Sequence, residues 1–177
     1  MKILITSSSR DEIAEEYLKL SDTVCERIIE LKKDIELVFG AANTGMMGRC
    51  TRYFDKVYSY TVEKYVSMLK DINSTKEYIL ETSFDRTKEM YKESDVILVL
   101  PGGTGSLAEI FGIIEENRSI DNPKPMIIYN YNHYYDKVIE IINDCITNKF
   151  NSNSITDYFY ISDDLDIVMQ KIKDTIK

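Results

Sequence analysis

Short runs of consecutive apolar residues alternate along this chain with longer amphipathic stretches. Val96-Ile97-Leu98-Val99-Leu100 is apolar at every position, the pattern of a strand buried on both faces of a parallel sheet. The pattern predicts a strand there, over Asp95–Leu100, and others at Lys2–Thr6, Ile35–Phe39, Val57–Val62, Glu77–Leu80 and Pro125–Tyr129, with a short one at Tyr158–Ile161. Between the first two, Ile13, Tyr17, Leu20, Val24, Ile28 and Leu31 recur at three- and four-residue spacing, which predicts a helix over about Asp11–Lys32. Further helices are predicted from about Met46, from near Phe84, from about Ile110, over Tyr134–Asn148 and over Asp164–Lys173. Residues 62–76 show no clean period, and a short helix around Tyr65–Lys70 is the reading there. This βαβα rhythm predicts an α/β fold, an open parallel sheet with helices on both faces.

Composition narrows the picture without adding a second unit. No Pro/Gly/Ser-rich linker divides the 177 residues and only three prolines occur, so residues 1–177 are expected to form a single domain. A net charge of −8 argues against nucleic acid as a partner, since phosphate backbones need clustered Lys and Arg. No apolar run approaches the ~20 residues of a membrane span, so no membrane partner is expected. The chain opens directly into a strand without the longer apolar stretch of a signal peptide. Cys25, Cys50 and Cys145 are odd in number and widely spaced, which suits neither a disulfide framework nor a metal site and points to the cytoplasm. The thirteen tyrosines sit at scattered or helical spacing and read as packing.

In an open parallel sheet, ligands bind beyond the carboxyl ends of the strands. That rule gathers on one edge the loops Ser7–Arg10, Gly40–Gly48, Ser83–Thr87, Gly102–Ser106 and Asn130–His133. The most informative is Pro101-Gly102-Gly103-Thr104-Gly105-Ser106-Leu107-Ala108-Glu109, which joins a strand to a helix. Its glycines permit a tight turn and close backbone approach. The helix start offers free N–H groups and a positive dipole end to a phosphate. Glu109 has two readings. With Ser106 it has the spacing of a capping box; alternatively it is a carboxylate set beside the anion site. Arg86 likewise either pairs on the surface with Asp85, Glu89 or Glu93, or reaches the same edge to grip a ligand bidentately. Gly40–Gly48 suits approach to a sugar or base. His133, the only histidine, reads as a loop residue, so no Ser-His-Asp arrangement is available. One carboxylate, one guanidinium and a phosphate cradle suit cleavage of an N-glycosidic bond in a nucleoside monophosphate. The carboxylate would stabilise positive charge growing at C1′ and activate water.

These residues resemble the LOG (LONELY GUY) family of cytokinin riboside 5′-monophosphate phosphoribohydrolases. The family pattern P-G-G-x-G-T-x-x-E is similar to Pro101–Glu109, with Ser106 for Thr, and G-G-G-x-x-G-L-M-G is similar to Gly40–Gly48. M-H-E-R-K matches Ser83-Phe84-Asp85-Arg86-Thr87, and Asn122–Pro125 and Tyr134-Tyr135 resemble the family's D-K-P and Y-Y positions. The resemblance implies a Rossmann-like fold, usually a homodimer, and hydrolysis of a purine nucleoside 5′-monophosphate to free base and ribose 5-phosphate without metal or nicotinamide cofactor. It places Arg86 and Glu109 at the catalytic positions and Gly102, Gly103, Thr104, Gly105 and Ser106 at the phosphate-binding loop. Ser8, Thr44, Gly45, Met47 and Asp85 are the expected substrate contacts. Thr87 replaces the family's Lys, Phe84 its His, and Ala41-Ala42 two of its glycines. The changes surround the sugar and base end, so AMP is as good a candidate as an N6-prenylated nucleotide. A non-catalytic carrier of a nucleotide or cofactor, like the molybdenum cofactor carriers of this fold, is the alternative.

Overall fold

A computed structural model describes residues 1–176. Seven strands form one sheet in which every pairing is parallel: β1 (Lys2–Thr6), β2 (Glu36–Phe39), β3 (Val57–Val62), β4 (Lys76–Leu80), β5 (Val96–Val99), β6 (Met126–Tyr129) and β7 (Tyr160–Ser162). Their order across the sheet is β4-β3-β2-β1-β5-β6-β7, a doubly wound Rossmann-like arrangement. The helices are α1 (Glu15–Leu31), α2 (Gly45–Cys50), α3 (Ser83–Glu93), α4 (Thr104–Arg118), α5 (Asp136–Thr147) and α6 (Leu165–Lys173). None of the described helices is long and apolar enough to cross a membrane.

Alternate side chains of each central strand enter opposite cores. Ile3 and Ile5 of β1, Leu37 and Phe39 of β2, and Val96 and Leu98 of β5 pack against α1 and α6, including Val24, Ile28, Val168 and Ile172. Leu4, Val38, Ile97 and Val99 face the other way, toward Met90 of α3, Ile110, Ile113 and Ile114 of α4, and Ile142 of α5. The stripe Ile110, Ile113, Ile114 therefore belongs to the protein's own core rather than to an interface between copies.

The structure refines several predicted elements. Helix α1 starts at Glu15 rather than Asp11, because the Asp11 carboxylate is used elsewhere, accepting the Gly45 N–H at 2.7 Å. Residues Glu63–Leu69 form a 3-10 helix, and Asn153–Tyr158 form another that buries Ile155, so the last strand begins at Tyr160. Lys124 closes the C-terminus of α3. Its ammonium donates to the carbonyls of Tyr91, Lys92 and Ser94 at 2.6–2.8 Å, the acceptors a helix end leaves unpaired.

Candidate active site

The strand order reverses between β1 and β5, whose outgoing chains leave toward opposite halves of the sheet. A cavity of about 570 Å³ opens at the carboxyl edge there. The loop after β1 contributes Ser7–Arg10, the segment after β2 contributes Gly40–Ala42 and Met47, and α4 contributes its first turn and Glu109. Ser83 and Arg86 come from α3, and Tyr65 and Met68 from the 3-10 helix after β3. Ser8 ties three of these loops together: its N–H donates to Pro101 O at 3.2 Å, and its carbonyl accepts the Met47 N–H at 3.1 Å.

The glycine loop sets up α4. Gly103 is the residue before the helix and provides no side-chain cap. The first intrahelical bond runs from the Leu107 N–H to Gly103 O at 3.1 Å. The amides of Thr104, Gly105 and Ser106 therefore reach the cavity edge free of backbone acceptors among the described residues, the arrangement that suits an anion. Gly102 is required sterically, since a Cβ there would lie 2.0 Å from Ser106 Oγ. Gly103 and Gly105 face open space. Two tyrosines hold the loop from the other side, Tyr134 donating its hydroxyl to Gly102 O and Tyr135 to Leu100 O, each at 2.7 Å.

Glu109 does not cap its helix. The Ser106 hydroxyl donates to Ser7 O at 3.3 Å, while the Glu109 carboxylate accepts from Thr6 Oγ1 at Oε2 and from Arg86 Nη2 at Oε1, the latter at 3.1 Å. Arg86 is likewise no surface ion-pair residue, because its three candidate partners are engaged elsewhere: Asp85 with Thr82, Glu89 with Lys92 and Glu93 with Lys2. Glu109 is only 3 % exposed. Burial pushes its carboxyl above the usual carboxylate range, an effect the Thr6 hydroxyl and the Arg86 charge oppose without cancelling. Two buried polar atoms of the cavity wall, Ser7 Oγ and Arg86 Nε, have no partner among the described residues.

Of the expected site residues, Ser8, Met47, Arg86, Gly103, Thr104, Gly105, Ser106 and Glu109 line this cavity. Gly102, Thr44, Gly45 and Asp85 do not. Gly102 supports the loop. Thr44 donates to Ser9 O at 2.7 Å, and Gly45 sits at φ +62° with room for no Cβ, which would meet Ser9 and Arg10 backbone at 2.6–2.8 Å. These two weld the β1 and β2 loops together. Asp85 forms a reciprocal cap with Thr82 at the start of α3, accepting the Thr82 hydroxyl at 2.6 Å and donating its own N–H to that oxygen at 3.1 Å. Thr87 turns its hydroxyl onto Ser83 O, and the exposed His133 lies outside the cavity beside Asp136 and Asp163. Ala41 keeps a positive φ of 46°, so the backbone retains a glycine-like turn where the family carries glycine. Sequence reasoning missed Thr6, whose signal was a hydroxyl ending an otherwise apolar strand. It also missed Tyr65 and Met68, for which no signal was available in an aperiodic segment.

Fold and site together define a Rossmann-like α/β protein with a polar crevice at its topological switch point, holding a buried acid paired with a half-buried guanidinium opposite an uncapped helix start. The family model described as "Possible lysine decarboxylase" matches residues 37–172, and the chain belongs to that family, the LOG family. It is 23% identical over 158 residues to the Oryza sativa subsp. japonica protein named "Probable cytokinin riboside 5′-monophosphate phosphoribohydrolase LOGL9", covering 84% of this chain and 70% of that protein. It is 26% identical over 127 residues to the rice protein LOGL6 of the same description, covering 69% and 51%. With the Arabidopsis thaliana cytokinin riboside 5′-monophosphate phosphoribohydrolase LOG2, identity is 25% over 129 residues, covering 70% and 61%. The matches thus span about half to seven-tenths of these relatives. Among solved structures, the molybdenum cofactor carrier protein of Chlamydomonas reinhardtii superposes with TM-score 0.71 at 13% identity, over 98% of this chain and 96% of that one. The molybdenum cofactor binding protein of Rippkaea orientalis gives 0.66 at 14%, over 99% and 96%. At these identities the likeness is one of fold. No lysine lines the cavity among the described residues.

Proposed function

We propose that this protein hydrolyses the N-glycosidic bond of a purine nucleoside 5′-monophosphate, releasing free base and ribose 5-phosphate. The observation that carries the reading is Glu109, a carboxylate buried without a capping role, facing the same cavity as the free amides of α4. In this scheme those amides hold the 5′-phosphate, and the Ser106 hydroxyl turns from Ser7 O to join them. The C1′–N bond breaks with its electron pair leaving on the base, while positive charge grows at C1′ beside Glu109. Glu109 takes a proton from the attacking water, whose oxygen bonds to C1′, and that proton passes to the departing base. Arg86 fixes the carboxylate and grips the nucleotide, supplying positioning. Ser8 and Met47 border the sugar and base, and Thr44, Gly45, Gly102 and Asp85 act at one remove by shaping the loops. Water is the only co-reactant the scheme calls for.

The same reading takes residues 1–177 as one catalytic unit, working in the cytoplasm as a homodimer. Support for a second copy comes from a groove of about 570 Å³ between α3 and α4. Phe84 lies at its rim with 88% exposure, and Ser83, Arg86, Thr104 and Gly105 line groove and cavity alike. Light scattering on the purified protein tests that element by itself.

The decisive experiment is a panel of AMP, GMP, IMP and an N6-substituted AMP, with free base and ribose 5-phosphate quantified chromatographically. Wild-type protein is expected to release base from at least one. Glu109→Gln is expected to abolish release while retaining binding, and Arg86→Ala to weaken both. Release from none of the panel overturns the reading and favours a carrier, as the Chlamydomonas reinhardtii structural neighbour is named, and consistent with Thr87 standing where the family has Lys.

A further inference from the structure

Strand β1 is apolar from Ile3 to Ile5 and then ends in Thr6, a residue 1% exposed. A hydroxyl at a fully buried strand position costs free energy unless it is bonded. Among the described residues its hydroxyl is bonded to one group, the Glu109 carboxylate, across 103 residues of chain. An ionised carboxylate only accepts, so the hydroxyl donates to it. The two oxygens are thereby divided, Oε2 to Thr6 and Oε1 to Arg86, and the carboxylate plane is set from both sides. Two further groups bear on Glu109. The Tyr135 phenol, just before α5, is pushed up by burial and also by the nearby Tyr134 and Glu109, and it spends its proton on Leu100 O. The cavity face is lined by the serines of the β1 loop and by the α4 amides. The described neighbours thus include two side-chain donors to the carboxylate, of which only the hydroxyl can also accept.

We infer that Thr6 is a positioning residue for Glu109: its hydroxyl fixes the carboxylate toward the cavity and, by switching between donating and accepting, lets Glu109 gain and lose a proton in place. This rests on the hydrolytic reading for its catalytic consequence but not for its physical content. When Glu109 is ionised, Thr6 donates to it and opposes the effect of burial. When Glu109 is protonated on Oε2, the hydroxyl turns and accepts. Arginine has no acceptor and serves only the first state.

The test uses the intact chain with carbon-13 in the glutamate side-chain carboxyls. The Glu109 resonance is identified by its disappearance in Glu109→Gln. In Thr6→Val, which keeps the shape and removes the hydroxyl, the Glu109 titration midpoint is expected to rise by about one pH unit, the scale of one lost charge-assisted bond. Thr6→Ser is expected to restore it. With whichever monophosphate the panel shows to be cleaved, Thr6→Val is expected to lower kcat about tenfold or more with KM little changed, and to move the acidic limb of the rate profile upward with the midpoint. A merely structural threonine would move stability and not that limb. An unchanged Glu109 midpoint in folded Thr6→Val overturns the inference, as does Thr6→Ser behaving like Thr6→Val. If no monophosphate is cleaved, the hydrolytic reading fails while the midpoint measurement still decides the role of Thr6.

Discussion

Replacing Arg86 by Met removes the charge that faces Glu109 while keeping most of the buried stem. The pair is 3.1 Å apart, with side chains 16% and 4% exposed, so it is largely shielded from solvent. At an effective dielectric of ~20 the gross attraction at that distance is about 5 kcal/mol. Truncating one partner of such a pair costs about 3–5 kcal/mol when the other must stay charged. Glu109 has an escape, because it can take up a proton. Its folded carboxyl already lies above the ordinary 4.5. The folded state therefore binds the proton at pH values where the unfolded chain has released it. Stability from this group is fully present below pH 4.5 and is lost as pH rises through the folded value. Losing Arg86 moves the folded value further up and extends that loss. The deficit of Arg86→Met relative to wild type should be about 3 kcal/mol at pH 8 and shrink to about 1 kcal/mol or less near pH 5. Urea denaturation at four pH values between 5 and 8 measures it. In a Glu109→Gln background the same substitution should cost less and show no pH trend. A deficit constant from pH 5 to pH 8 in the single variant would refute the claim that the Arg86 charge opposes protonation of Glu109.

Three other outcomes follow from the same geometry. Because burial raises Glu109 and the proposed chemistry needs its ionised form, base release should fall off on the acid side at a pH above the ordinary carboxylate range; a limb at or below pH 4.5 would assign that titration to another group. Gly102→Ala places a Cβ against Ser106 Oγ and should cost about 1–3 kcal/mol, whereas Gly103→Ala should stay within about 0.5 kcal/mol of wild type, as compared by thermal melting. Ser7→Ala deletes a buried hydroxyl with no partner among the described residues, so the empty protein should be as stable as wild type or slightly more so, and a loss beyond about 1 kcal/mol would reveal a bond to that hydroxyl.

The order of elements and the parallel sheet were legible in the chain because buried parallel strands are apolar at nearly every position. Val57–Val62 and Lys2–Thr6 came out at their observed limits. The glycine loop was legible as well, since tight turns and close backbone approach impose residue types locally. Asp85 was misplaced for the converse reason: a residue beside Arg86 in sequence lies on another side of the helix, and only the cap with Thr82 revealed its use. Likewise the capping-box spacing of Ser106 and Glu109 is a local signal that tertiary contacts overrode.

The sequence by itself determined the strand–loop–helix units, their apolar faces and the short list of polar residues at the strand ends, because these depend on neighbours a few positions away. Tertiary structure alone decided which of those residues meet. β4 lies at the edge of the sheet while β5 lies beside β1, so α3 must cross β3, β2 and β1 to connect them. That crossing brings Arg86 to a carboxylate 23 residues on, and the sheet order brings in Thr6 from 103 residues away. Such meetings follow from the packing of the whole sheet, and no local spacing records them.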